Sequence, residues 1–284
     1  MSSTVVTGLA YAPNISWLFP ELPFALRPKA VADLGFEALE FGFPSQADLD
    51  ALDACRRETG MRIVLFNQDV PVWDGANRGY LVDPKRRDEF ERTLDQGLAL
   101  AGRLKVEKIM LPAGVVVPGM ARGAQRECML ENLRAAAPRA AQAGVVLTIE
   151  VLNPVDNPGY YLTSWREAVG IVREVYHPNV RFQMDTYHLR RMGDEPLETL
   201  REAGGWIGHI QYADEPGRHE PGTGAIDFAA LEAAMEAGGY AGYIGLEYIP
   251  QARGADALAW VPAARRAPGR GAAAHDFGRK ESVE

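Results

Sequence analysis

The sequence predicts a single-domain (β/α)8 TIM barrel, an α/β fold in which eight parallel strands alternate with helices. Eight short, β-branched apolar runs recur along the 284 residues, with longer amphipathic stretches between them. Strands that alternate with helices pair in parallel, and eight repeats exceed the about five or six strands of an open doubly wound sheet. A content of 47% hydrophobic and 24% charged residues is typical of a globular domain.

The predicted strands follow the apolar runs in chain order. They are Val5–Ala10, Ala38–Phe41, Arg62–Phe66, Lys108–Pro112, Val145–Val151, Val180–Asp185, Ile207–Tyr212 and Tyr243–Tyr248. Helical periodicity between them predicts helices that include Asp83–Arg103, Gln125–Ala143 and Ser164–Tyr176. Asp83 and Ser164 carry side chains that cap helix starts. We therefore expect one barrel over residues 1–262.

Two segments depart from this alternation. Residues 67–82 form a long polar and aromatic connection after the third strand, at the face where barrel active sites are built. Trp73, Arg78 and Tyr80 are candidates to close over a pocket there, although packing within the loop is the simpler interpretation. Residues 263–284 lose apolar periodicity and gain Ala, Gly and Arg, so we expect an irregular, flexible tail.

Charge and termini restrict the classes of function. Lys and Arg number 30 against 38 Asp and Glu, and a net charge of −8 disfavours nonspecific binding to nucleic acid or anionic membranes. The N-terminus lacks the pattern of a signal peptide, and no apolar run approaches the ~18 residues of a membrane span. Cys55 and Cys128 have no metal-binding spacing and are expected as free thiols. We expect a cytoplasmic protein without nucleic-acid or membrane partners.

Oxygen-bearing side chains lie at the ends of the last four strands. Glu150, Asp185, Gln211 and Glu247 follow one another at intervals of 35, 26 and 36 residues. Any one of them alone has the alternative of a rim carboxylate paired with Arg or Lys. Together they would bury three carboxylates at one mouth, which is costly unless a cation lies among them. Because an all-oxygen set favours Mg²⁺ or Mn²⁺ over zinc, we predict one such ion at these four residues.

Further polar residues are expected to contact a small-molecule substrate at the same mouth. His188 and Arg218 can stabilise a developing enediolate oxygen, although His188 has the alternative of holding Asp185 or Glu150 in place. Asn67 and Glu40, at the ends of the third and second strands, are the other predicted substrate contacts.

The remaining candidates have purely structural roles as alternatives. Asn14 and Trp17 follow the first strand and are candidates to line the pocket, with packing as the alternative. His209 shares a strand face with the predicted ligand at 211 and is interpreted as a core group behind it. His219 and Glu220 divide evenly between a role in the site and a role in shaping their loop.

Seven motifs, spread over residues 10–260, form a specific combination. They are PNISWLFPELPF, GFEALEFGFPS, LFNQDVP, IEVLNPVDNPGYYLTS, FQMDTYH, GHIQYADEPGRHEPGTG and GYIGLEY. With them the chain resembles the hydroxypyruvate isomerase family, within the xylose isomerase-like barrels. The family's Glu, Asp, Gln, Glu metal set and its His and Arg fall on Glu150, Asp185, Gln211, Glu247, His188 and Arg218.

The resemblance implies a metal-dependent aldose–ketose isomerase that acts on a small 2-oxo or hydroxy acid. It implies conversion of hydroxypyruvate to tartronate semialdehyde through an enediolate, with Glu150 and Glu247 as acid and base. The family pattern departs at Ala225, where an acid is common, and ends after Val261. The native metal, the length of the substrate and the oligomeric state, a homo-oligomer included, are left open.

Related activities remain as alternatives. A 2-oxo-tetronate isomerase has the same pattern, and ketose 3-epimerases are similar but usually carry His where this chain has Gln211. A non-catalytic barrel that binds sugar acids is a more distant alternative. DNA-repair barrels of the endonuclease IV type bind several zinc ions through many His residues, which five His and a charge of −8 disfavour.

Overall fold

Parallel strands close around a common axis in the computed structural model, which describes residues 8–75 and 77–268. The strands are β1 Ala10–Pro13, β2 Ala38–Leu39, β3 Arg62–Ile63, β4 Leu65–Asn67, β5 Lys108–Met110, β6 Val146–Glu150, β7 Val180–Asp185, β8 Ile207–Tyr212 and β9 Tyr243–Leu246. The helices are α1 Arg27–Asp33, α2 Leu49–Thr59, α3 Arg87–Leu104, α4 Arg122–Gln142, α5 Trp165–Val175, α6 Thr186–Arg191, α7 Pro196–Ala203, α8 Phe228–Ala237 and α9 Ala263–Arg266.

The strand order confirms the predicted barrel. One parallel sheet runs β1-β9-β8-β7-β6-β5-β4, and β2 pairs with β3 in the gap that this sheet leaves. Backbone hydrogen bonds join the pieces, from Glu40 N to Pro13 O at 3.0 Å and from Asn67 N to Gly42 O at 3.1 Å. The strands β3 and β4 together form the third position of the barrel, so the eight expected positions are filled.

The first strand lies further along the chain than predicted. The apolar run predicts Val5–Ala10, whereas β1 begins at Ala10 and ends at Pro13. Residues 1–7 lie outside the described residues. Proline lacks an N–H and is therefore read as a strand breaker, but Pro13 stands last in β1, where its carbonyl accepts a hydrogen bond from Glu40 N. The predicted sixth and seventh strands correspond to β7 and β8, and both have the predicted bounds.

Alternation along the strands divides apolar from polar burial. In β7, Phe182 and Met184 are buried and apolar, whereas Gln183 and Asp185 are buried and polar. Successive side chains of a strand point to opposite faces, so one face packs under the helices and the other faces the barrel axis. Each fully buried apolar side chain stabilises the fold by roughly 1.5–3 kcal/mol. This apolar layer holds a polar interior in place.

Local signals in the sequence set the helix ends. Asp83 and Ser164 accept hydrogen bonds from backbone N–H groups, as predicted, of Lys85 and Glu167. The segment Pro84–Arg86 forms a 3-10 turn that leads into α3. Gly60 ends α2 with a φ of 75°, a conformation that side-chain-bearing residues adopt at a cost.

The described part of the C-terminal tail differs from the expected irregular chain. Ala263–Arg266 form α9, and the Arg266 guanidinium donates to Leu34 O at 3.0 Å and to Val261 O at 2.9 Å. The barrel therefore binds the start of this tail. Residues 269–284 lie outside the described residues, and the domain boundary at 262 stays a prediction.

Cys55 and Cys128 are buried free thiols, as expected. Within residues 8–75 and 77–268, the model contains no helix that is both long and apolar enough to cross a membrane. Cytoplasmic location and oligomeric state stay predictions.

Candidate active site

The carboxyl ends of β6 to β9 bring the predicted metal ligands to one level of the barrel. Glu150 is the last residue of β6, and Asp185, the last of β7, is paired in register with Gln211 of β8. Gln211 is paired with Gly245 of β9, two residues before Glu247. Since these strands are parallel neighbours, their carboxyl ends lie together at the mouth. The cluster of possible metal ligands there contains Glu150 and Asp185 with His188, and a metal-binding role for the four predicted residues stays a prediction.

Two carboxylate oxygens at this mouth lack hydrogen-bond partners. Ligand atoms of Glu150, Asp185 and His188 all lie within 4.8 Å of one another, and all three residues are buried. Asp185 Oδ1 caps α6 by accepting from Tyr187 N at 2.8 Å and from His188 N at 3.3 Å. Asp185 Oδ2 and Glu150 Oε1 are buried without a hydrogen-bond partner in the described part of the chain. Oxygens left in this state are costly unless a cation neutralises them.

The carboxyl groups resist ionisation in the absence of such a cation. Burial raises the pKa of Asp185 to about 6 and that of Glu247 to about 8. Burial, followed by the charges of Asp185 and Glu247, raises the pKa of Glu150 well above its usual range. Crowded, desolvated carboxylates of this kind fit a divalent cation, which would stabilise their charged forms.

Arg218 supplies positive charge between two of these groups. Its Nη2 lies 3.6 Å from Asp185 Oδ2 and 3.5 Å from Glu247 Oε1. The guanidinium is stacked between the rings of Trp17 and Tyr187, with centroid distances of 4.3 and 5.2 Å. Arg218 thus reaches the cluster with its orientation fixed by two aromatic rings.

A buried aspartate that the sequence did not reveal holds the loop of Arg218. The Oδ1 atom of Asp214 accepts from Glu215 N at 2.8 Å and Ile226 N at 3.1 Å. Its Oδ2 accepts from Gly222 N at 2.9 Å and Gly224 N at 2.8 Å. This one carboxylate therefore fastens four backbone positions around Arg218. An aspartate at the start of a Pro/Gly-rich loop was the available signal.

The hydrogen bonds of His188 assign its tautomer. Its Nδ1 lies 3.1 Å from Asn153 N and 2.8 Å from Asn153 Nδ2, both of which are donors. Burial, then the charge of Arg218, lowers the pKa of His188 well below its usual range, so the ring is neutral. A neutral ring whose Nδ1 accepts carries its proton on Nε2. His188 therefore presents a donor, rather than a metal-binding lone pair, to the mouth.

Gln183 places Gln211 beside Glu150. Its Nε2 donates to Gln211 Oε1 at 2.8 Å and to Glu150 Oε2 at 3.2 Å. One amide thus gathers two oxygens of the predicted metal set. Gln183 stands two residues before Asp185 and therefore on the same face of the strand. This spacing was a signal in the sequence that predicts Gln183 near the site.

Glu40 is placed differently from the predicted substrate contact. It is completely buried, and its Oε1 accepts from Asn14 Nδ2 at 3.0 Å and Gln211 Nε2 at 2.7 Å. Its Oε2 lies 2.7 Å from His209 Nε2, which confirms His209 as a core group. Burial raises the pKa of Glu40 to about 7. Glu40 thus orients the Gln211 amide from behind the site. Because Glu40 binds the amide nitrogen of Gln211, the amide oxygen of Gln211 points away from Glu40.

The loop residues around the mouth have mixed roles. Asn67 ends β4 half-buried, and a substrate contact for it stays a prediction. Tyr80 donates to Asp69 O at 3.0 Å, and Arg78 is buried with its guanidinium 5.4 Å from the Trp73 centroid. His219 Nδ1 lies 2.8 Å from Ile249 O. This contact favours a role of His219 in shaping its loop over a role in the site.

Comparison with known proteins places most of the barrel in a family. The family model described as xylose isomerase-like TIM barrel matches residues 28–264, most of the chain. This protein belongs to the xylose isomerase-like TIM barrel family. The match begins at the first barrel helix and extends into α9, so it includes the four strands that carry the carboxylate cluster.

Similar members of the xylose isomerase-like family include two curated bacterial enzymes. The 2-oxo-tetronate isomerase of Pectobacterium atrosepticum is 34% identical over 88% of this chain and 96% of its own length. The hydroxypyruvate isomerase of Escherichia coli is 33% identical over 89% of this chain and 98% of its own. A crystal structure named as an AP endonuclease of family 2 from Brucella melitensis has a TM-score of 0.85 and 33% identity, covering 93% of this chain and all of that one.

This xylose isomerase-like barrel has the groups for proton transfer at carbon. Glu150 and Glu247 reach the mouth from strands on either side of Asp185, and burial raises the pKa of each. Carboxyl side chains placed beside a reacting carbon can take and return protons. Donors on His188 and Arg218 face the same space and can stabilise a negatively charged oxygen.

Proposed function

We propose that this protein is a metal-dependent aldose–ketose isomerase that converts a short 2-oxo acid, hydroxypyruvate first, to its aldehyde isomer, tartronate semialdehyde. The observation that carries the proposal is the pair of buried oxygens, on Glu150 and Asp185, that have no hydrogen-bond partner among the described residues and lie close to a neutral His188. The names of the relatives at 33–34% identity support the reaction class.

The residues of the site fit one Mg²⁺ or Mn²⁺ ion. Glu150, Asp185, Gln211 and Glu247 would hold it, and all four offer oxygen, which such ions prefer. When bound, the ion would supply Lewis-acid stabilisation of negative charge on the oxygens of the substrate. Asp185 contributes Oδ2, because its Oδ1 is taken by the N-terminus of α6.

The side chains of the chain itself would move the protons. One of Glu150 and Glu247 removes the proton from the carbon that bears the hydroxyl group, and the other returns a proton to the neighbouring carbon. The hydroxyl proton passes to the former ketone oxygen, so that one oxygen becomes the aldehyde and the other the new hydroxyl group. The Nε2–H of His188 and the guanidinium of Arg218 donate to the oxygens that gain charge in the enediolate. The Asn153 contacts keep His188 in the donor tautomer through both half-reactions.

A 2-oxo acid with a longer carbon chain is a second candidate for the substrate. The Pectobacterium relative is named for 2-oxo-tetronates, which have one more carbon than hydroxypyruvate. Ketose 3-epimerisation uses related proton transfers, and Gln211 in place of the usual His weighs against it. The Brucella structure carries a repair-enzyme name, but the metal cluster found among the described residues of this chain contains one His rather than many.

A substrate panel tests the proposal. After treatment with EDTA, the protein is assayed with and without Mn²⁺ on hydroxypyruvate, a 2-oxo-tetronate and a ketohexose. We expect Mn²⁺-dependent isomerisation of at least one acid at a higher kcat/KM than of the ketose. Absence of metal-dependent turnover of both acids would contradict the proposal. Metal-dependent 3-epimerisation of the ketose would favour the epimerase alternative.

The acid–base assignment has its own test in Glu247→Gln. We expect kcat to fall about 10²- to 10⁴-fold, the usual contribution of a general acid–base group. Retention of Mn²⁺ binding is checked by calorimetry, and the exposed Glu198 of α7, changed to Gln, is the matched control. A Glu247→Gln protein that binds Mn²⁺ and isomerises at the wild-type rate would overturn the assignment.

A further inference from the structure

Arg78 is a buried cation that forms no ion pair with the described residues. It is 8% exposed, its Nη1 donates to Asn157 Oδ1, and its Nε is buried with no hydrogen-bond partner. In the described part of the chain it forms no ion pair, and the charge of Asp74 acts on it only from a greater distance, whereas Arg86, later in the sequence, pairs with Glu89. Burying an unpaired guanidinium costs several kcal/mol. An anion that enters the site would recover that cost.

The backbone next to Arg78 is fixed by a close approach. Gly79 forms an antiparallel bridge with Ala113 and has a φ of 113°. A Cβ at this glycine would lie 2.1 Å from Pro112 O, so only glycine allows the contact. The Trp73 ring lies against the guanidinium on its other side. Arg78 is therefore held in a defined position, as a binding group needs to be.

Arg78 belongs to the active-site face but to a different sector from Arg218. Its partner Asn157 donates through its backbone N to Asn153 O at 3.1 Å, and Asn153 holds His188. Its contacts come from the loops after β4 and β6, whereas Arg218 contacts residues that follow β1, β7 and β9. The charge of Arg218 is taken up by the carboxylate cluster, and that of Arg78 is not.

We propose that Arg78 binds the carboxylate group of the substrate and makes the site selective for 2-oxo acids over neutral ketoses. The inference rests on the proposed isomerase function and assigns the part of the site that recognises the acid. A guanidinium pairs with a carboxylate through two parallel hydrogen bonds. With the carboxylate near Asn157 and His188, the reacting carbons would lie toward Glu150 and Glu247.

A pair of unreactive ligands tests this selectivity. Pyruvate lacks the hydroxyl group needed for isomerisation, and pyruvamide is its neutral counterpart. Binding of each to the Mn²⁺-loaded protein is measured by calorimetry. We expect the wild type to prefer pyruvate about 10- to 100-fold, the range for hydrogen bonds to charged groups. Arg78→Met is expected to bring this preference close to one while pyruvamide binding changes less than about threefold.

Two further variants keep the test independent of folding. Asn157→Asp has the same shape as the wild type and places a carboxylate on Arg78, so it is expected to lose the acid preference with the guanidinium still present. Arg126→Met removes a surface cation of α4 that is already paired with Glu174, and it is expected to keep the preference. Thermal melting curves establish that each variant is folded.

The outcomes separate this proposal from the proposed function. An unchanged preference for pyruvate in both Arg78→Met and Asn157→Asp would overturn the carboxylate subsite, whatever the turnover of hydroxypyruvate. A preference that disappears in both variants, in a protein that turns over neither acid, would support the subsite and overturn the isomerase proposal. An equal loss in Arg126→Met would show that the effect is not specific to Arg78 and would also overturn the subsite.

Discussion

Individual amide side chains determine which atoms the mouth offers to a ligand. Gln211 is turned by Glu40 and Gln183, and Asn153 directs both of its donors at one nitrogen of His188. Neither orientation is visible in residue type or spacing. The chemical character of the site, an oxygen at 211 and a donor at 188, is therefore set by neighbours that do not themselves face the substrate.

The substitution Asn153→Asp tests this at the scale of one residue. The carboxylate that it introduces accepts rather than donates, so it favours a proton on Nδ1 of His188 and removes the fixed donor from Nε2. We expect kcat to fall about 10- to 100-fold, in the range for hydrogen bonds to a charged oxygen. The ¹⁵N shifts of the ring nitrogens report the tautomer.

The control for this change is Asn179→Asp, at a half-buried Asn whose side chain donates to Val145 O at 2.8 Å, away from the mouth. It loses a comparable hydrogen bond, and we expect its kcat to stay within about threefold of the wild type. Wild-type ring shifts and wild-type kcat in Asn153→Asp would show that Asn153 does not set the tautomer.

Among the elements, the loop from Asp214 to Ile226 is the one whose shape the site depends on most. It carries Arg218 with a φ of 57°, a conformation uncommon for a side-chain-bearing residue. Four hydrogen bonds to Asp214 and one from Ile249 N to Arg218 O, at 2.7 Å, hold this conformation. Ala225, where the family commonly has an acid, contributes its backbone N to Glu215 O at 2.9 Å.

Asp214→Asn tests the loop at the scale of the element. The amide nitrogen of Asn is a donor that would face backbone N–H groups, so part of the loop loses its acceptor. We expect a loss of kcat of at least about tenfold and faster hydrogen exchange over residues 215–226, with the barrel strands still protected.

Asp227→Asn is the matched control for the loop, because Asp227 caps the neighbouring α8 by accepting from Ala230 N at 2.9 Å. Asn caps a helix about as well as Asp, so this change is expected to cost little stability and to leave kcat unchanged. Equal hydrogen exchange in the loop of Asp214→Asn and the wild type would remove the assigned role of Asp214.

The sequence predicts those features that depend on local pattern. Apolar runs locate the strands, and strand ends locate Glu150 and Asp185, because parallel strands must end together. Contacts across long separations are not accessible in this way. Glu40 also ends a strand, but its oxygens are taken up by residues as distant as His209, so position alone could not separate a substrate contact from a buried positioning group.

For the whole molecule, the buried carboxyl groups of the site make the free energy of unfolding of the metal-free protein depend on pH. Asp185, Glu247 and Glu40 have folded-state pKa values of about 6, 8 and 7, above the values of an unfolded chain. The metal-free fold therefore holds protons that the unfolded chain has released between about pH 5 and pH 8. Because the folded state binds more protons in this window, its free energy of unfolding falls as pH rises. The slope is roughly 1.4 kcal/mol per pH unit for each group that is still protonated in the fold and already ionised in the unfolded chain.

Melting temperatures in EDTA check this expectation. We expect the metal-free protein to melt at a higher temperature near pH 5.5 than near pH 8, and Mn²⁺ to stabilise it more at the higher pH, where carboxylates release fewer protons on binding. Glu247→Gln removes one titrating group and is expected to flatten the decline in EDTA. An equally steep decline in this variant would contradict the role of Glu247.

The packing of α9 also determines on which side of the barrel a fusion partner or a solid support can be joined. Arg265 donates to Leu9 O at 3.4 Å, and Glu37 N donates to Arg266 O at 3.0 Å, so the described chain ends meet where the first strands begin. That face is opposite the mouth. A fusion partner or a solid support joined directly at Gly8 or Pro268, or a linker that closes these two positions into a circular permutant, therefore starts on the side of the barrel from which substrate does not enter.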